Sequence, residues 1–181
     1  MDRTEFMKCA LGMCSCAALA FLPKEATAAE SRNAETDALT WKLEAVHTRF
    51  AKLISILNEN LDEPTKKRVL ESLGRECAKQ YSSLTDKYKG DIQGFLRYIQ
   101  SQWVEKAEYD ETAGTIRIID KSRTCTCPFV QQGLTPGDFC SCTLGWQKET
   151  YSKILGKPVE ADLEESLLRG GTRCVYRIRI V

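Results

Sequence analysis

A single histidine, His47, leaves this 181-residue chain only one candidate for the Cys–His or Ser–His pairing that most nucleophilic hydrolases use, which weakens such models. No His-Glu-x-x-His pair, phosphate-cradling glycine loop or nucleophile elbow occurs. Charge of one sign is also missing: 26 Lys and Arg stand against 25 Asp and Glu. That balance excludes a basic field for nucleic acid and an acidic field for cationic partners, so small molecules or proteins are the expected partners. No long apolar run is present. The longest, residues 9–23, is too short for a comfortable permanent membrane span. The chain is long enough for one domain with a core of its own, and it contains no internal repeat.

That short apolar run follows a charged start and ends near Ala26-Thr27-Ala28, the layout of an export signal over residues 1–28 cleaved after Ala28. Asp2-Arg3-Thr4-Glu5-Phe6-Met7-Lys8 has part of a twin-arginine signal but lacks the second arginine, so a general secretory route or an atypical twin-arginine route is expected. Lipid attachment at Cys14 or Cys16 is the weaker alternative. The mature protein is then periplasmic or extracellular. Residues 29–39, polar and alanine-rich, read as a flexible lead-in, and residues 40–181 as one domain.

Within that domain the first sixty-odd positions have helical periods. Leu43, Val46, Phe50, Leu53, Ile54, Leu57 and Leu61 form one apolar face, with His47 beside it as a boundary residue rather than a catalyst. A second helix restarts at Pro64 and presents Val69, Leu70, Leu73, Cys77 and Tyr81, with Gly74 as an interruption. Asp91 caps a third that buries Ile92, Phe95, Leu96, Ile99 and Trp103. Alternation then predicts a hairpin through Ala107, Tyr109, Ile116 and Ile118, and later strands at Val159 to Leu163 and Cys174 to Ile180. One helix, Leu144 to Leu155, is stopped by Gly156 between them. The fold class is α+β: N-terminal helices packed on an antiparallel sheet, with one further helix crossing it. Asp162, Glu164 and Glu165, and the run Arg169, Arg173, Arg177 and Arg179, read as solvated faces.

The concentrated chemistry lies in Cys125-Thr126-Cys127 and Cys140-Ser141-Cys142. Residues two apart share a face of a strand, so a hairpin carrying both pairs would gather four sulfurs on one patch. Four thiolates suit zinc, and also copper(I) or an iron–sulfur centre. Cross-strand disulfides are an equal alternative in an exported chain, and free or redox-active thiols a third. Cys77 and Cys174 read as small core residues, with the alternative that they join the patch. Trp103, Tyr151 and Tyr176 are candidate pocket walls.

Residues 116 to 180 carry a family resemblance, through Cys125-Thr126-Cys127-Pro128, Phe139-Cys140-Ser141-Cys142, Gly145-Trp146, and the run from Glu165 through Gly170-Gly171 to Cys174-Val175-Tyr176-Arg177-Ile178. This stretch resembles small ligand-binding domains of the four-vinyl-reductase type and L-2-amino-thiazoline-4-carboxylic acid hydrolase-like proteins. The resemblance implies small-molecule or metal binding. Its hydrolase branch implies opening of a cyclic C–N bond by activated water. The expectation is therefore an exported small-molecule- or metal-binding domain with zinc at Cys125, Cys127, Cys140 and Cys142. A metal- or thiol-dependent hydrolase of a small cyclic amide-like substrate and a disulfide-braced structural module are the alternatives.

Overall fold

The computed structural model describes residues 24–181, with side-chain surroundings from residue 35 onward. The apolar stretch and the three cysteines of the expected export signal lie outside the described residues. The chain forms two units, Met1–Lys42 and Leu43–Val181, and the elements that matter for function belong to the second. Among the described residues no helix is long and apolar enough to cross a membrane.

Helix α1 (Lys24–Asn60) includes residues 29–39, which were expected as a lead-in; alanine and glutamate there are good helix formers. In the second unit it buries Ala51 and Ile54, while Leu43, Val46 and Leu53 of the expected apolar face stay exposed. Helix α2 (Glu63–Gln80) starts as expected, with the Asp62 carboxylate accepting from Thr65 N–H at 2.7 Å and Pro64 in the first turn. A short α3 (Ser82–Lys87) precedes α4 (Ile92–Gln102), whose cap Asp91 accepts from Gly94 N–H at 2.8 Å. Strands β1 (Val104–Asp110) and β2 (Thr115–Asp120) form the expected hairpin. An irregular segment then leads to a 3-10 helix (Gly137–Cys140) that runs into α5 (Ser141–Leu155). Gly156 ends α5 at φ 66°, a left-handed conformation that glycine adopts without strain. Strands β3 (Val159–Glu165) and β4 (Val175–Ile180) complete an antiparallel sheet of order β1-β2-β4-β3. The α+β architecture is the one expected.

Alternation along the strands sends Ile116, Ile118, Ala161 and Ile178 into one face, where they meet Phe95, Leu96 and Ile99 of α4 and Tyr151 and Ile154 of α5. On the outer face, Arg117 donates to Glu164 at 2.8 Å, Arg177 pairs with the same carboxylate, and Arg179 meets Asp162 at 2.6 Å. The solvated ladder read in the sequence is thus a cross-strand charge network. Both outer strands, β1 and β3, carry a register shift.

The second helix buries a different face from the one its pattern suggests. Val69, Leu73 and Tyr81 are exposed, whereas Lys66, Leu70, Glu71, Gly74 and Ala78 are buried. The reason is the approach of α5. A methyl group on Gly74 would overlap the carbonyl oxygen of Cys142, and one on Gly145 would overlap the carbonyl oxygen of Glu71. Glycine on both helices lets the backbones touch, and this contact rather than hydropathy selects the buried face. Beside the crossing, Lys148 reaches Glu71 at 3.0 Å and Glu160 at 2.6 Å, so the buried ammonium is paired twice.

Gly74→Ala and Gly145→Ala are each expected to destabilise by about 1–3 kcal/mol through overpacking. Helix propensity alone would favour alanine by about 1 kcal/mol, so the urea midpoint distinguishes the two effects by sign.

Candidate functional site

The two cysteine pairs do not form a hairpin. Cys125 and Cys127 lie in the irregular segment after β2, Cys140 ends the 3-10 helix and Cys142 lies in the first turn of α5. Pro128 and the turns that follow supply too little regular backbone for a strand. On a helix, residues two apart diverge by about 200° instead of sharing a face. Cys140 therefore borders a cavity, while Cys142 packs with Cys127 against the cluster of Ile54, Leu70 and Phe139.

All six cysteines among the described residues are free. Five of them (Cys77, Cys125, Cys127, Cys140 and Cys174) line one cavity of about 450 Å³. Among the described residues no group of three or more His, Cys, Asp or Glu side chains is gathered so as to hold a metal ion. As placed, the four cysteines expected to bind zinc do not fit a thiolate cage.

Their electrostatics agree with an apolar lining role. Burial pushes the thiols of Cys125, Cys127 and Cys140 up, and that of Cys142 up to about 12, with neighbouring thiols adding to the effect. For Cys140 the Ser166 hydroxyl, 3.0 Å from its sulfur, and Arg169 pull the other way without reversing the shift. Thiols held in the protonated form are poor nucleophiles.

The loop bearing Cys125 and Cys127 is moored to α1. His47 Nε2 donates to the carbonyl of Pro128 at 2.8 Å, confirming a boundary role for this histidine. The Phe50 ring meets Phe129 at 5.4 Å and Phe139 edge-on at 4.8 Å. Asn58 donates to Asp138 at 2.7 Å, fixing the turn before α5.

The cavity walls are aromatic and aliphatic: Tyr98, Trp103, Trp146 and Tyr176, with Leu163 and Leu167. Trp103 and Tyr176, two of the three residues expected at a pocket, are among those lining this cavity. Trp103 is 40% exposed rather than buried, because it caps α4 at the cavity's edge. Tyr151 is only 1% exposed and belongs to the core behind the cavity, against Phe95.

Two polar residues of this wall were not anticipated. Asp120 ends β2 on the same face as Ile116 and Ile118 and lines the cavity. Burial pushes its carboxyl up to about 6, against a hydrogen bond from Tyr176 that lowers it. Gln147 lies on α5 between Leu144 and Tyr151, is 6% exposed, and its Oε1 has no hydrogen-bond partner. Both break an apolar period, Asp120 that of a strand and Gln147 that of a helix, and this was the available signal.

The chain matches no protein-family model and no curated protein. Solved structures do resemble it. The phenol-responsive sensory domain of the transcription activator PoxR, crystallised with phenol, aligns over 74% of each chain at 12% identity and TM-score 0.50. A trafficking protein particle complex subunit 3 from Naegleria fowleri, covalently bound to palmitic acid, aligns over 78% of this chain and 96% of its own at 9% identity and TM-score 0.48. A vinyl-4-reductase family protein from Methanocaldococcus jannaschii aligns over 71% and 74% at 12% identity and TM-score 0.35. At these identities the likeness is one of fold alone, and it rests on the first of the three, at TM-score 0.50.

Two outcomes are expected of these side chains. Asp120 has a folded pKa above its unfolded value of 3.8, so its ionisation opposes folding increasingly as pH rises from about 4 to about 6. Asp120→Asn should therefore stabilise by up to about 3 kcal/mol at pH 7.5 and by about 1 kcal/mol at pH 4.5, read from urea unfolding at both pH values. Cys142 in the folded protein should alkylate with iodoacetamide about a thousandfold more slowly at pH 7 than an unperturbed thiol, measured by peptide mass spectrometry.

Proposed function

We propose that the domain is a small-molecule-binding module of the sensory type, which takes its ligand into the cavity between the cysteine-bearing loop, α5 and the inner face of the sheet. The observation that carries this reading is the cavity itself. At about 450 Å³ it falls within the range of ligand sites, and its aromatic and aliphatic walls also carry Asp120, Gln147 and several Ser and Thr hydroxyls that could orient a ligand. The fold shared with a phenol-responsive sensory domain supports it. Asp120 adds a physical argument, because a carboxylate kept in a half-buried wall at the expense of stability is characteristic of a functional position.

The reading is one of binding rather than turnover. A thiol-dependent hydrolase needs a thiolate and a base beside it, whereas burial pushes the thiols of Cys125, Cys127 and Cys140 up and the only histidine is engaged with Pro128. Zinc at Cys125, Cys127, Cys140 and Cys142 would require Cys142 to leave its apolar packing, and the proposal does without it.

Binding is read from Trp103 and Trp146 fluorescence during titration with Nile red or phenol, with saturable 1:1 behaviour expected. Thr143→Trp, which fills the cavity from the first turn of α5, should weaken both probes at least tenfold while far-UV circular dichroism stays unchanged. Undiminished binding in that variant would place the site elsewhere.

A further inference from the structure

The cavity wall has an asymmetry of charge and of hydrogen bonding. Apart from thiols and tyrosines, Asp120 is its one ionisable side chain among the described residues, and no Lys, Arg or His lines it. The basic residues nearest in sequence are engaged elsewhere. Lys121 donates to the carbonyls of Gln100 at 2.6 Å and Gln102 at 3.3 Å. Arg123 and Arg173 both pair with Glu105, at 3.3 and 3.2 Å. Gln147 Oε1 is a buried acceptor with no donor facing it. Asp120 and Gln147 also line together a smaller recess of about 10 Å³ that ends against Trp103, Trp146 and Tyr151. The two acceptors therefore share one end of the cavity, surrounded by aromatic rings.

Buried polar groups are normally satisfied, and an orphaned acceptor beside a carboxylate whose hydrogen bond from Tyr176 brings no counter-charge marks where a ligand's donors would go. A neutral hydroxyl would supply one hydrogen and leave the carboxylate without a counter-charge. An ammonium or amidinium supplies several donors and the charge together, and ring faces attract cations. Resting on the binding reading above, we propose that the cavity is selective for small organic cations, primary amines or amidines with an aromatic or aliphatic body, whose N–H groups are held by Asp120 and by Gln147 Oε1. Tyr98, Trp103, Trp146 and Tyr176 enclose the apolar body and the charged head. The elevated pKa of Asp120 is what burial does to a carboxyl with no cation beside it, and a bound ammonium would draw it back down.

The test compares ligands that differ only at the head: 2-phenylethylamine, 2-phenylethanol and 3-phenylpropionate, titrated calorimetrically at pH 7.5 into the full chain. The amine is expected to bind at least tenfold more tightly than the alcohol, and the carboxylate weakest. Asp120→Asn should abolish the preference by weakening the amine tenfold or more while leaving the alcohol within about twofold. Gln147→Met, which keeps the length and removes the acceptor, should weaken the amine severalfold and provides a second variant if the first is poorly folded. An alcohol that equals or exceeds the amine, or a preference that survives Asp120→Asn, overturns the cation assignment while the binding reading stands. If Nile red, phenol and all three phenyl compounds fail to bind, the binding reading itself fails.

Discussion

The direct backbone contact of α2 and α5, allowed by Gly74 and Gly145, is the constraint on which the other features depend. It sets which face of α2 is buried, and it brings Cys77 on α2 to the same cavity as Cys140 at the entrance of α5. It also places Glu71 where Lys148 can reach it, so that a charge on the buried side of α5 is compensated. With α5 held this close on one side, its opposite side lies over the sheet, and Gln147 comes to face the wall formed by Asp120.

A second, looser anchor completes the enclosure. The connection between β2 and α5 has no regular structure before its short 3-10 helix, and its position comes from contacts with α1: a histidine to a carbonyl and one phenylalanine between two others. Loops of this kind adapt more readily than the strands and helices that flank them. The cavity thus combines a rigid floor, made from the inner face of the sheet and α5, with a wall that can adjust to its contents.

Most of the architecture was legible from period alone. The hairpin, the Asp91 cap, the Gly156 stop and the charged outer sheet face follow from local rules that tertiary contacts left intact, whereas the pairing of those charges across strands was not foreseen. The cysteine pairs were misplaced because a Cys-x-Cys spacing has opposite meanings on a strand and on a helix, and no local signal separated the two for Cys140 and Cys142. Gly74 was read as a defect of α2, since its role depends on Gly145, seventy-one positions away. Asp120 and Gln147 were overlooked for the reverse reason: their signal was local, a polar residue inside an apolar repeat, but weaker than the sulfur cluster beside them.

The charged outer face of the sheet has a bearing on how the protein behaves among its own copies. Among the described residues, strands β1 and β3 have one unpaired backbone rim each, a template for an additional strand. Glu105, Lys106 and Glu108 on one rim and Glu160, Asp162 and Glu164 on the other would have to be desolvated against an incoming chain, and the register shift in each strand spoils the alignment that such an addition needs. Among the described residues the sheet therefore ends at four strands, and its charged rims and register shifts disfavour the addition of a further one.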